Sequence, residues 1–284
     1  MRLCDAHNHL QDDRFAGREE LLLAEAAQAG IARMVVNGSG EADWPQVAAL
    51  ADLHPAMVVP AFGCHPWYLG ERTPDWHAAL VRRLDLTPGA VIGEIGLDRW
   101  MLENPDRWRA YLGPAGAAAV PPTMAEQEAA FTVQLRLAAE RNLPASIHCL
   151  RAFGRLLELL AANPRPARGF LLHSYGGPAE LVAPFATLGA CFSFPGYFAH
   201  ERKARQREVF RAVPPDRLLI ETDAPDQLPP DALNRHPLTD PATGQPLNHP
   251  ANLAAIYRHL ADFLGEPVEA LATRVEGNFV RLFG

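Results

Sequence analysis

Near its start the chain reads Asp5-Ala6-His7-Asn8-His9, two histidines one residue apart beside a short apolar run. Side chains alternate across a β-strand, so His7 and His9 face the same side of it. Two imidazoles so placed can share one metal ion. The same spacing arises by chance or in paired structural histidines, so the rest of the chain decides its meaning. Glu94 lies in the apolar run Gly93-Glu94-Ile95-Gly96-Leu97-Asp98. His148 follows Ile147, His173 sits in Leu172-His173-Ser174, and Asp223 in Glu221-Thr222-Asp223-Ala224-Pro225. A carboxylate inside an apolar strand is costly unless it is paired or coordinates a metal. The chain has a single lysine, Lys203, in a helical stretch. A carbamylated lysine therefore cannot bridge two cations here, and a bridge is either Glu94 or absent.

These residues need a frame that brings them together. Short apolar runs flanked by Gly or Pro, at residues 2–6, 34–38, 58–63, 91–96, 145–148, 170–173, 190–194 and 218–222, read as strands. Helical stretches are expected at 18–29, 125–142, 153–162, 179–188, 201–212, 250–264 and 268–283. Eight strands alternating with helices predict parallel pairing through crossovers. The expected fold is α/β, a single (β/α)8 TIM barrel over residues 1–284. The length of 284 residues is near the roughly 250 of such barrels. An open doubly wound sheet is the alternative, but no glycine-rich phosphate loop follows the first strand. In a barrel the six candidate ligands all reach the C-terminal rim, where barrel active sites are built. Two long stretches, 101–123 and 224–250, read as irregular active-site-side loops.

Composition sets limits on function. The formal net charge of −7 argues against a surface that coats nucleic acid as a whole. A local basic cluster at Arg202, Lys203, Arg205, Arg207 and Arg211 reads first as a solvated helix face. No apolar run is long enough to span a membrane, and the N-terminus has no signal-peptide pattern, which predicts a cytoplasmic protein without membrane contact. Nothing marks an obligate protein partner. Cys4, Cys64, Cys149 and Cys191 form no CxxC pair and read as buried, reduced thiols. His54, His77, His200, His236, His249 and His259 read as surface or loop residues.

In order along the chain stand Asp5-Ala6-His7-Asn8-His9-Leu10, Gly63-Cys64-His65-Pro66-Trp67, the Glu94 segment, Ile147-His148, Leu172-His173-Ser174, Glu221-Thr222-Asp223-Ala224-Pro225 and the closing Gly277-Asn278-Phe279. Together these motifs resemble the TatD family of metal-dependent deoxyribonucleases, in the amidohydrolase superfamily, from residue 3 to the end. The resemblance implies a TIM barrel holding one or two divalent ions (Mg, Mn or Zn). One site would use His7, His9 and Asp223 with Glu94 bridging, the other Glu94, His148 and His173. It also implies phosphodiester hydrolysis in DNA, in some members as a 3′→5′ exonuclease, and raises His65 as a substrate phosphate contact.

The chain departs from the family at three places. Many members have arginine two residues after the strand-5 histidine; here Leu150 stands there and Arg151, the candidate phosphate contact, follows. Asp226 stands where many have tyrosine, and the 101–123 stretch is longer than usual. Trp67 and Trp100 are candidates to stack on a base or to pack.

The ligand set predicts a metal-activated water as nucleophile, with Asp223 as proton acceptor and Glu94 as bridge. No Gly-x-Ser-x-Gly elbow offers an alternative. DNA hydrolysis is thus the leading expectation. Hydrolysis of a small ester, lactone or amide on the same core is the second, and a non-enzymatic metal-binding role the third. Cationic phosphate contacts from Arg151, Arg99 or His65 would favour the first.

Overall fold

The structure, a computed structural model, describes residues 1–113 and 116–284. Eight parallel strands pair in chain order: β1 (Leu3–Asn8), β2 (Ile31–Gly38), β3 (Val58–Phe62), β4 (Val91–Asp98), β5 (Ala145–Leu150), β6 (Phe170–Leu172), β7 (Ala190–Pro195) and β8 (Leu218–Glu221). β3, β4, β6, β7 and β8 are buried along their whole length, as expected of strands covered on both faces. β1 and β8 then close the ring. Asp223 N donates to the His7 carbonyl at 2.9 Å and His9 N to the Ala224 carbonyl at 2.7 Å. The buried Asp5 carboxylate accepts from Thr222 N at 2.9 Å and Thr222 Oγ1 at 2.5 Å. The protein is a (β/α)8 barrel.

The helices are α1 (Glu19–Gln28), α2 (Trp44–Leu53), α3 (Trp76–Leu86), α4 (Trp100–Glu103), α5 (Pro105–Leu112), α6 (Met124–Arg141), α7 (Phe153–Ala162), α8 (Val182–Thr187), α9 (Ala204–Val209), α10 (Leu253–Leu264) and α11 (Val268–Phe283). α6 begins at a capping box, in which Thr123 and Glu126 satisfy each other's backbone N–H groups. α10 and α11 cover the seam between β1 and β8. Tyr257 of α10 accepts from Cys4 N at 3.1 Å and donates to the Cys4 carbonyl at 2.9 Å, while Asn278 of α11 donates to the Leu218 carbonyl at 2.8 Å.

Several expectations are corrected. The 101–123 stretch is not irregular in its first half: it holds most of α4 and all of α5, where Trp108 and Met101 are buried. Residues 114 and 115 of that stretch lie outside the described residues. The 224–250 stretch carries only a two-stranded hairpin, Leu238–Thr239 with Pro246–Leu247. α2 and α3 were not anticipated. α3 buries only Leu80 and Leu84, too narrow an apolar stripe to declare itself, and α2 starts at Trp44-Pro45 with no capping side chain. His249 is buried, bonded to Glu25 at 2.7 Å, and His259 lies within α10. The four cysteines are buried and free. Burial pushes the thiols of Cys4 and Cys64 up to about 12, which removes them as nucleophiles. No helix among the described residues is long and apolar enough to cross a membrane.

Candidate metal centre

At the C-terminal ends of the strands, five imidazoles surround one carboxylate. Glu94, inside β4, is almost fully buried, and among the described residues its ion-pair partners are all histidines. Its two oxygens face different groups. Oε2 lies 3.4 Å from His9 Nε2 and 3.7 Å from His7 Nε2. Oε1 lies 2.8 Å from His173 Nε2, 3.3 Å from His148 Nδ1 and 3.4 Å from His65 Nε2. Asp223, two residues past β8, brings Oδ1 to 3.5 Å from His7 Nε2 and 3.6 Å from His9 Nε2. Its backbone is left-handed, with φ of 55°, which is uncommon for a residue other than glycine. The strand order explains the convergence: β1 and β8 are neighbours across the seam, β4, β5 and β6 are consecutive, and each of the six candidate ligands lies within a strand or no more than two residues past its end.

The outward ring nitrogens of His7, His9, His65 and His148 are held as well, which fixes the way these imidazoles point. His9 Nδ1 donates to the Asn37 carbonyl at 2.8 Å, and His7 Nδ1 lies 2.8 Å from Ser146 Oγ. His65 Nδ1 accepts from Trp67 N at 3.1 Å. His148 donates from Nε2 to Asp98 Oδ2 at 3.0 Å, leaving its Nδ1 lone pair for the centre. Asp98 also accepts from Trp67 Nε1 at 2.6 Å. A carboxylate behind a histidine is the arrangement that orients metal-ligating imidazoles. Asp98 was visible in the strand-4 motif but carried no assigned role; only the pairing of β4 with β5 reveals it. Glu221, two residues before Asp223, accepts from the hydroxyls of Ser174 and Ser193, with the Ser174 bond at 2.5 Å, and lies 3.8 Å from His173 Nδ1.

Burial and the charges within the cluster shift its titrating groups in opposite directions. Burial opposes ionisation of Glu94, but His65, His173 and His7 outweigh it and hold the carboxyl well below its ordinary range. Burial brings His65 down to about 3 and His7 down to about 4. For His9 burial is outweighed by the Asp223 hydrogen bond and the Glu94 charge, and its pKa is pushed up to about 10. Two pairs of ring nitrogens face each other closely, His7 with His9 at 3.2 Å and His148 with His173 at 3.3 Å. Two lone pairs at that distance repel unless a proton or a cation lies between them. Three triplets of ligand atoms lie close enough to hold an ion: His7, His9 and Asp223; His65, Glu94 and His148; and His7, His173 and Glu221. Imidazole nitrogen with carboxylate oxygen suits divalent transition metals.

The centre opens into a cavity of about 1120 Å³. Tyr111, Leu112 and Gly116 line one part of it, and Asp226, Gln227 and Leu228 another, so both long connecting stretches reach the site. Not every expected contact is there. His65 is buried in the cluster, 3.4 Å from Glu94, and still lines the cavity. Arg151 is not among the lining residues: the chain turns at its left-handed φ of 56°, and its guanidinium pairs with Glu103 at 2.5 Å, while Leu150 faces the cavity. Arg14, unnoticed in the sequence, does line it, clamped by Asp12 at 2.8 Å and Asp226 at 2.7 Å. Trp67 and Trp100 stack on each other at 6.2 Å, and Tyr111 meets Trp67 edge-on at 4.7 Å.

Comparison with known proteins agrees with this geometry. Residues 4–284 match the family described as TatD related DNase. The chain is 30% identical over 277 residues to the 3'-5' ssDNA/RNA exonuclease TatD of Pantoea ananatis, covering 97% of each protein. It is 29% identical over 284 residues to the uncharacterized metal-dependent hydrolase YjjV of Escherichia coli, covering 99% of this chain and 98% of that one. The crystal structure of the Escherichia coli YjjV protein, a TatD homolog, superposes with a TM-score of 0.81 at 27% identity, over 99% of this chain and 98% of that one.

Proposed function

The chain belongs to the TatD-related DNase family of metal-dependent hydrolases, and we propose that it hydrolyses phosphodiester bonds in DNA, from a strand end, at the centre built around Glu94. The observation that carries this reading is the division of Glu94, with Oε2 turned to His7 and His9 and Oε1 to His148, His173 and His65. A carboxylate so placed would hold two cations between its two oxygens. His7, His9 and Asp223 would complete one, and His148 and His173 the other, with His65 within reach of the second. Mg, Mn and Zn are the candidate ions. When bound, divalent ions supply Lewis acidity and a hydroxide source near neutral pH.

The remaining work falls to the protein's own groups. Asp223 accepts the proton of the attacking water and returns it to the departing sugar oxygen. Gln227 holds the other end of Asp223, donating to Oδ2 at 2.6 Å. Asp98 and the Asn37 carbonyl keep His148 and His9 in one tautomer. Tyr111, Leu112 and Gly116 from one long stretch and Asp226, Gln227 and Leu228 from the other wall the cavity and shape what enters. A second reading, hydrolysis of a small ester, lactone or amide, is favoured by one observation: Arg151 faces Glu103, outside the cavity, instead of a phosphate.

The experiment is hydrolysis of an end-labelled single strand by metal-stripped protein and by protein reloaded with Mg, Mn or Zn. His148→Ala and Glu94→Ala serve as controls. Ion-dependent shortening of the strand that both substitutions abolish is the expected result. Full activity in Glu94→Ala would sink the bridging role, and inert reloaded protein that still binds ions would turn the search to esters, lactones and amides.

A further inference from the structure

The cavity is poor in usable positive charge. Eight carboxylate side chains line it, against three arginines among the described residues, Arg14, Arg72 and Arg202. Arg14 is neutralised by Asp12 and Asp226. Arg72 donates to the Leu69 carbonyl. Arg202 is different. It follows β7, donates from Nη2 to Tyr197 Oη at 3.1 Å, and lays its guanidinium 5.2 Å from the centre of the Tyr197 ring. Lys203, the single lysine, brings Nζ to 4.9 Å from the same ring. The neighbouring acid, Glu201, faces Arg207 at 3.6 Å instead. Tyr197 and His200, in edge contact at 5.3 Å, both line the cavity, and His200 bonds the Leu228 carbonyl at 3.2 Å.

We propose that Tyr197, Arg202 and Lys203 form the subsite for the backbone phosphate next to the scissile bond of a single strand. This rests on the phosphodiesterase reading above. The physical argument is one of placement. A phosphate entering a carboxylate-rich cavity is repelled from most of its wall. At the rim beyond β7 it meets Arg202, which lines the cavity, with Lys203 on the same ring outside the lining; neither has a carboxylate partner among the described residues. Both are held against one aromatic ring by cation–π attraction. That ring removes much of the side-chain freedom that would otherwise oppose binding. The cluster that reads from sequence as a solvated helix face therefore divides. Arg207 and Arg211 pack over Phe263 at 5.9 and 4.1 Å, away from the site, while Arg202 and Lys203 turn to Tyr197.

The test uses the full-length protein with a fluorescent oligothymidylate as probe. Arg202→Ala and Lys203→Ala are compared with Arg205→Ala, a charge-matched control on an exposed residue outside the cavity lining. In the ion-reloaded enzyme, Arg202→Ala should raise KM for the oligothymidylate about fivefold. It should affect bis(p-nitrophenyl) phosphate, which has no neighbouring phosphate, by a smaller factor. In ion-free protein, fluorescence anisotropy should show weaker binding. The slope of log affinity against log salt should flatten by about 0.7 for each cation removed. Equal losses on both substrates, unchanged binding and salt slope, or the same loss in Arg205→Ala would overturn the subsite. Hydrolysis of neither diester by the wild-type enzyme would overturn the phosphodiesterase reading instead, and the anisotropy comparison would still decide the subsite.

Discussion

Gln227 donates a hydrogen bond from Nε2 to Asp223 Oδ2 at 2.6 Å, and so decides which oxygen of Asp223 faces the histidines. The same amide donates to Ser174 Oγ at 2.6 Å, which in turn donates to the buried Glu221. One side chain thus ties Asp223 to the wall behind His173. Gln227→Leu keeps the bulk and removes both bonds. Loss of such a supporting contact lowers ion affinity or activity by about tenfold or more. The expected result is a fall of that size in kcat, with ion affinity by titration calorimetry falling alongside. Wild-type values in both would show that Asp223 is oriented by its backbone alone.

Ion binding should depend on pH, and the sign follows from His9. Burial works against its charge, but the Asp223 hydrogen bond and the Glu94 charge push its pKa up to about 10. The ion-free protein therefore carries a proton on His9 across neutral pH. An incoming cation must displace that proton, so affinity rises with pH and binding releases protons. Calorimetric titrations at one pH, in two buffers of different ionisation heat, count the protons. Affinity that stays flat between about pH 6 and 8, with no proton release, would contradict the assignment of His9 to the centre.

Asp226 offers a charge test independent of the ions. It accepts from Arg14 at 2.7 and 2.9 Å and from Tyr111 Oη at 2.5 Å, joining three segments over the cavity. In Asp226→Ala, Arg14 keeps only Asp12 and part of its charge becomes available to a phosphate. KM for a single strand should fall about fivefold, the equivalent of ~1 kcal/mol for a partly exposed pair, and the gain should shrink as salt is added. Steady-state kinetics at low and high salt give the answer. A higher KM would mean that the clasp matters for the shape of the cavity rather than its charge.

How much of this was legible beforehand differs from element to element. The strands declared themselves because each is largely buried on both faces, which leaves continuous apolar runs such as Met34-Val35-Val36 in β2 and Phe170-Leu171-Leu172 in β6. The ligand candidates were legible because a histidine or carboxylate that closes an apolar run, or, like Glu94, interrupts one, stands out. Directions beyond the strand ends were not legible. The turn at Arg151 sends its side chain to Glu103, and His65, placed by the loop after β3, falls into the cluster itself. Arg14 and Asp226 are 212 positions apart, and only the closure of β1 on β8 makes them partners. Asp98 was hidden for a similar reason, since its role exists only through His148 on the next strand.

The pairing of β4 with β5 also supplies the sharpest structural test, at Gly96, which faces His148 across the ladder. Its φ is 151°, and a Cβ there would stand 1.9 Å from the His148 carbonyl oxygen and 2.8 Å from the carbonyl carbon. Those are backbone atoms, so no side-chain rotation relieves the clash. In Gly96→Ala the two strands must separate where Glu94 and His148 meet at 3.3 Å. A backbone conflict of this kind costs at least about 3 kcal/mol. Urea unfolding should show that loss, and ion content after dialysis should fall because His148 moves with its strand. The stability loss and the ion loss separate under a second substitution. His148→Ala removes the imidazole without the clash, so it should lose ions with a much smaller shift in the urea midpoint. If Gly96→Ala unfolds at the wild-type midpoint and keeps its ions, the close approach of β4 and β5 does not set the position of His148.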